Sequence, residues 1–272
     1  MREKENSSSR KLGLARALSK LGYCSRSRAA ELIHAGRVSL NGKVRLDPET
    51  PVRESQDQIS VDGNPVELTR KIYLMLNKPR GVVTTASDEK GRKTVYTTLN
   101  EGSLAKSLSR DQLPWLAPVG RLDKASEGLL LLTNDSEWGA RIAAPTTHLD
   151  KTYHVQVDRL ADEEFIQALI RGVKVRGVEA RGVKAKDGEL LRAKHARRLR
   201  AGQKNCWIEI VLDEGKNRHI RRIMEGLGIV VLRLVRVAIG PLPLGDLAKG
   251  QYRALTFDEK HTLDLAFRDK TS

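Results

Sequence analysis

Three stretches of this chain carry residue types that could act on a substrate. Gly120-Arg121-Leu122-Asp123 lies just ahead of the apolar run Gly128-Leu129-Leu130-Leu131-Leu132, so Asp123 is expected in a loop at the entry to a buried strand. A carboxylate there can serve as nucleophile or base while it stays ionised. Taken alone the string means little, because an Asp at a strand entrance more often caps a turn. Lys151-Thr152-Tyr153-His154-Val155 offers an aromatic ring on an alternating strand, where a core tyrosine is the plain alternative. Glu214 to Arg222 opens a helix whose Ile220, Ile223, Met224 and Leu227 form an apolar stripe bordered by Arg218, Arg221 and Arg222. A basic solvent face is the plain reading of those arginines.

The elements that must hold these residues follow from periodicity and turn chemistry. Residues 1–11 read as a disordered tail. Leu12 to Leu21 places Leu14, Leu18 and Leu21 on one helical face, and Gly22 stops it. A second helix is predicted with Ser25 or Ser27 as N-cap, Ala29, Ala30, Leu32 and Ile33 as apolar positions, and Gly36 at its end. Val38-Ser39-Leu40 alternates as a strand before the hairpin signal Asn41-Gly42. A further hairpin is expected to join Ile59–Val61 to Pro65-Val66 through Asp62-Gly63. These elements make a first domain over residues 12–70, two helices plus hairpins.

A second domain is expected over residues 71–256, with 257–272 as a C-terminal helix or tail. It opens with a strand at Ile72–Leu76 and a turn at Lys78-Pro79-Arg80-Gly81. Residues 87–113 read as a long loop or a helical insertion. Strands are predicted at 128–133, 152–157, near 173–185, at 206–212 and at 229–239. Helices are predicted from Asp135 to about Ala143, at 162–170 and at 216–227. Strands outnumber helices without strict alternation. The expectation is an α+β fold with a mixed, mostly antiparallel sheet flanked by helices.

Charge points to a partner. The chain has 272 residues, 39% of them hydrophobic and 31% charged, with a net charge of +15 and a pI near 10.0. Such a surface attracts phosphate polymers. Between Arg10 and Arg45 nine basic residues face one acid, Glu31. Arg16, Lys20, Arg26, Arg28, Arg37 and Lys43 are therefore candidate nucleic-acid contacts. Tyr23 is the lone aromatic there, which argues for phosphates on a folded target over stacking on single strands. Lys194 to Arg200 forms a second basic concentration, and Lys216, Arg218, Arg221 and Arg222 a third. Cys24 and Cys206 lack any metal-ligand spacing, and the six histidines are scattered, so no metal is expected. The polar N-terminus is no secretory signal, and the run Ile229–Leu244 is broken by Arg233 and Arg236. A soluble, cytoplasmic protein follows, and the lack of a heptad seam suggests a monomer.

The front unit resembles the small alpha-L RNA-binding domain named after a ribosomal small-subunit protein. The matching residues are Leu14 to Gly22, Ser25 to Ala30, and Gly36-Arg37-Val38-Ser39-Leu40-Asn41-Gly42. Residues 71–255 resemble the pseudouridine synthases that act on ribosomal RNA, the RsuA group. That likeness rests on the three stretches above, on Leu76 to Thr84, and on Leu234 to Gly240. It implies that Asp123 is the catalytic aspartate, that Tyr153 stacks on the target base, and that Arg221 pairs with the aspartate. It further implies that Leu234 walls the pocket and that Arg121 enters the RNA stack where the uridine was. Ser126 departs from the group's more usual Thr but keeps the hydroxyl.

The implied reaction breaks the N1–C1′ bond of uridine, turns the base, and rejoins it through C5, which requires no cofactor. A guanidinium near Asp123 favours the charged carboxylate, and a flipped base needs a ring to stack on. Whether Asp123 attacks the sugar, attacks the base or removes the 2′-proton stays open. Asn217-Arg218 ahead of Arg221-Arg222 looks like the large-subunit branch, so 23S ribosomal RNA is the expected partner and 16S RNA the alternative. A non-catalytic RNA-binding protein or chaperone would use the same basic surfaces. A glycosidase or nuclease lacks a second convincing carboxylate or a metal set.

Overall fold

A computed structural model describes residues 12–54, 56–85, 88, 90–101, 114–176, 179–180, 183–184 and 188–268. The expected N-terminal tail lies outside the described residues. Two compact units are present among the described residues: one takes in residues 12–73, 114–117 and 133–136, the other the rest.

In the first unit, α1 (Leu14–Lys20) and α2 (Arg26–His34) pack on a sheet of β1 (Val38–Leu40), β2 (Lys43–Val44), β3 (Ile59–Val61) and β4 (Asn64–Pro65), in the order β2-β1-β3-β4. Leu14, Leu18, Ala29, Ile33, Val38 and Val61 fill its core. The Ser25 hydroxyl accepts the Arg28 amide at 3.1 Å, which starts α2. Asn41-Gly42 and Asp62-Gly63 both take positive φ, as two-residue hairpins require. The first helix begins later than its apolar spacing suggested. Leu12–Gly13 instead pairs antiparallel with Pro51–Val52. The amides of Leu14 and Ala15 then donate to Thr50 and Pro48, so the 48–50 loop satisfies the helix start.

The second unit is built on a nine-stranded sheet. Seven strands lie in line: β5 (Tyr73–Lys78), β6 (Glu127–Thr133), β7 (Lys151–Val157), β8 (His195–Ala201), β9 (Cys206–Leu212), β10 (Val231–Ile239) and β11 (Tyr252–Ala254), ordered β8-β9-β7-β10-β6-β5-β11. β10 is antiparallel to β7 but parallel to β6. The fold is α+β with a mixed, mostly antiparallel sheet, as expected. All seven residues of β6 are buried, which accounts for its unbroken apolar run. The α-helices described in this unit are α3 (Val95–Glu101), α4 (Ser136–Ala143), α5 (Glu163–Arg171), α6 (His219–Gly226) and α7 (Phe257–Arg268), and short strands including Val173–Val175 lie beside the sheet. Val155, Val157, Ile208, Ile210 and Leu234 meet α5 and α6 through Leu169, Ile220, Ile223 and Met224. Two readings change, and one alternative is settled. Lys194–Arg200 was seen only as a basic concentration, and most of it is the edge strand β8, whose arginines masked the alternation. Helix α6 starts at His219 and not at Lys216, because Arg218 takes a left-handed φ of 49°. Residues 87–113 include α3, while 102–113 lie outside the described residues.

Residues 122–126, just ahead of β6, are held more tightly than their sequence suggests. Lys78 ends β5 with its side chain fully buried. Its ammonium donates to the carbonyls of Pro79, Asp123 and Ser126 at 3.1, 3.2 and 2.8 Å. The Thr84 hydroxyl donates to Leu122 O at 2.8 Å, and Gly81 N–H donates to Lys124 O at 2.7 Å. Downstream, Gly128 (φ 102°) faces Arg236 in the parallel register. A Cβ on Gly128 would stand 2.2 Å from the Arg236 carbonyl oxygen, so no other residue fits without moving a strand.

Burial pushes the Lys78 pKa down from 10.5 to about 8, against the opposing pull of Asp123 and Glu127. Replacing Lys78 with Met strands buried carbonyls and is expected to lower stability by roughly 2–5 kcal/mol in urea unfolding. Between the folded and unfolded pKa values the unfolded chain binds that proton more tightly. The stability contributed by Lys78 therefore rises with pH, and its gap to K78M should widen from about pH 7 to about pH 10. A gap that stays constant would mean the ammonium is not desolvated. Gly128→Ala should cost roughly 2–4 kcal/mol, read from the same unfolding curves.

Candidate active site

A cavity of about 400 Å³ opens on the core side of the sheet in the second unit. Asp123, Tyr153, Arg221 and Leu234, drawn from four separate stretches, all line it, together with Arg121 and Arg218. Each element delivers its side chain for a local reason. Tyr153 stands on β7 with a bulge beside it, between Thr152 and Tyr153, where the register against β10 shifts. Leu234 is buried on β10, across from Val155. Arg221 lies in the first turn of α6, whose Ile220, Ile223 and Met224 face the core and so aim its neighbour at the cavity.

The Asp123 loop is clamped residue by residue. Arg221 donates to Ala125 O at 3.1 Å, and Ser126 N–H donates to Asp123 O at 3.0 Å. Together with Lys78, Thr84 and Gly81, these donors take all five carbonyls from Leu122 to Ser126. The half-buried Asp123 carboxylate is left to face the cavity. Burial lowers the Arg221 pKa first and the neighbouring positive charge of Arg218 second, while Asp123 raises it. The two side chains thus feel one another, although no ion pair within 4.0 Å joins them among the described residues. The guanidinium is anchored to the loop backbone. Arg121 and Arg218 are exposed at the rim, a fitting place for phosphates.

Arg222 corrects the sequence reading. It is only 6% exposed and donates to Glu189 Oε2 at 2.7 Å, so it faces inward and offers no phosphate contact. Ser126 is buried, and its carbonyl, not its hydroxyl, accepts the hydrogen bond from Lys78. Lys78 and Arg236 were not foreseen as site residues. Lys78 sat within a turn-like Lys-Pro-Arg-Gly string, where a buried lysine has no periodic signature. Arg236 lines the cavity and donates to Leu129 O at 2.7 Å. Its position in an apolar strand was the available signal. The first unit's candidates form a surface of their own. Arg16, Arg26 and Lys43 are exposed there, whereas Lys20 pairs with Glu54, Arg28 with Glu31 and Arg37 with Asp62.

No described helix is long and apolar enough to cross a membrane. Comparison with known proteins gives this site a family. The model of the RNA pseudouridylate synthases matches residues 72–226, and that of the S4 domain matches residues 12–59. Ribosomal large subunit pseudouridine synthase B of Bacillus subtilis is 36% identical over 245 residues, 89% of this chain and 91% of that protein. An RNA pseudouridine synthase of Aquifex aeolicus is 35% identical over 243 residues, 89% of both chains. A crystal structure of a pseudouridylate synthase superposes with a TM-score of 0.60 at 27% identity, covering 93% of this chain and 99% of the other. A clamped aspartate loop, a ring and a guanidinium around one cavity thus sit in a chain that belongs to the RNA pseudouridylate synthase family, with an S4 domain at its front.

Proposed function

We propose that this pseudouridine synthase acts on ribosomal RNA of the large subunit, with Asp123 as its nucleophile. The observation that carries the reading is the convergence of Asp123, Tyr153 and Arg221 on one cavity of about 400 Å³, room enough for a single flipped nucleotide. In this reading the Asp123 carboxylate meets the extruded uridine, Tyr153 stacks on the base, and Leu234 closes the apolar wall. Arg221 does two things. It fixes the Ala125 carbonyl and places positive charge beside the carboxylate. The N1–C1′ bond breaks and the C5–C1′ bond forms; the C5 proton leaves and N1 gains one, so atoms and electrons balance.

Arg121 and Arg218 at the rim take phosphate, and Arg121 fills the stack that the uridine vacates. The basic S4 domain holds a folded part of the same RNA through Arg16, Arg26 and Lys43. The Bacillus relative's name and the Asn217-Arg218 pair before Arg221 favour 23S over 16S RNA. The protein works as a monomer in the cytoplasm, in the course of ribosome assembly.

Asp123→Asn is isosteric and leaves the loop clamps in place. It is expected to lower single-turnover pseudouridine formation by about 10⁴-fold or more, with RNA affinity within about twofold. Retained turnover would remove Asp123 from the role. Arg221→Gln should lower the rate by roughly 10²–10³-fold, and Lys at the same position should restore part of it. Mapping pseudouridines in ribosomal RNA of cells with and without the gene tests the target. One uridine of 23S RNA should lose its modification; loss from 16S RNA alone would overturn the assignment. No change in any RNA would favour a binding protein.

A further inference from the structure

The sheet of the second unit has a second face, and that face carries a pocket which the reaction does not use. Tyr153 and Leu234 point to the Asp123 cavity, so their neighbours His154, Arg233 and Val235 point the other way. These residues, with Trp207, Arg200 and Leu199, line a depression of about 380 Å³. Cross-strand register aligns Arg200, Trp207, Gln156 and Arg233 in one row over four strands. The guanidinium carbons of Arg200 and Arg233 lie 5.2 and 5.4 Å from the Trp207 ring centre.

Two features make this more than a core that happens to be open. The first is a bulge in the edge strand β8. Its register jumps between Arg198 and Arg200, so that Arg200 in place of Leu199 stands opposite Trp207. A bulge of this kind re-aims a side chain at the rim of a sheet. The second is the charge balance. Glu209 is taken by Arg197 at 2.6 Å and lies 3.5 Å from His154, and Glu127 is taken by Arg233 at 3.1 Å and Lys249 at 2.7 Å. Both acids are paired with nearby cations. Arg200 is exposed, and among the described residues it makes no ion pair.

We propose that this face is a second RNA site, which takes a nucleotide of an unpaired strand flanking the modified region. The base would lie against the Trp207–arginine row and the phosphate against Arg200. A ring beside guanidinium planes suits a base of any identity, because every base has a stacking face. A pocket of this volume holds one nucleotide. The net positive charge excludes an acidic wall and suits a phosphate backbone. The inference rests on the reading of an RNA enzyme and adds a site opposite the cavity where the base reacts.

The test uses the full-length protein and an unstructured oligoadenylate RNA of about eight nucleotides, a length typical of single-strand sites. Tryptophan fluorescence reports on the site: of the three tryptophans Trp138 is buried, and the Trp207→Phe protein isolates the part of the signal that comes from Trp115. The oligonucleotide should quench the parent and the D123N protein alike, and the quench should vanish in Trp207→Phe. Arg200→Glu, an exposed substitution on an edge strand, should weaken the affinity by about tenfold. Parent-like affinity in the Arg200→Glu protein would overturn the proposal. So would equal affinity for a polyglutamate peptide of the same charge. Because the readout is affinity and not turnover, a protein that forms no pseudouridine but still binds through Arg200 would support this site while defeating the enzyme reading.

Discussion

Five consecutive backbone carbonyls, from Leu122 to Ser126, are each gripped by a donor from elsewhere in the second unit or from the loop itself. The grip determines the geometry of Asp123. A loop of this length would otherwise sample many backbone states, and fixing each residue costs about 1–2 kcal/mol of conformational entropy. Lys78 is the centre of the arrangement, because one buried ammonium reaches three of the neighbouring carbonyls. Its environment is so poor in water that its proton is held less firmly than on an ordinary lysine. The parallel contact between β6 and β10 anchors the far end, where Gly128 lets the backbone of Arg236 approach.

On this frame the charges divide into two kinds. Lys78, Arg222 and Arg236 are buried and spend their donors on the protein itself. Arg121 and Arg218 are exposed at the cavity rim, free to meet a polyanion at little desolvation cost. Arg221 stands between these groups. It is anchored to Ala125 O yet close enough to Asp123 for each charge to influence the other. An anchored guanidinium beside a carboxylate offers preorganised charge, which can act without reorganising.

Much of the site could be read before the fold was known, and the exceptions have a common cause. Asp123, Tyr153, Arg221 and Leu234 belong to stretches whose residue types agree with one chemistry, and the tertiary structure brings them to one cavity. The turns at Asn41-Gly42 and Asp62-Gly63 were legible because a two-residue hairpin demands positive φ from its own residues. Arg222 was misread because a run of arginines looks like a solvent face until a distant Glu189 is known to be its neighbour. Strand β8 was missed because charged residues on a half-exposed edge strand blur the period-two pattern.

The sequence by itself determined the local periodicity, the turn positions, the +15 charge and which residue types were on hand to do chemistry. These are properties of residues and of their near neighbours. Tertiary structure alone decided which carbonyls Lys78 holds, which of the α6 arginines faces the cavity, and that β7 and β10 carry different chemistry on their two faces. Each depends on contacts between segments far apart in the chain, as with Lys78 and Ser126, 48 residues apart, or Arg221 and Ala125, 96 apart. A register shift of one residue would reverse every face of a strand while leaving its local pattern unchanged.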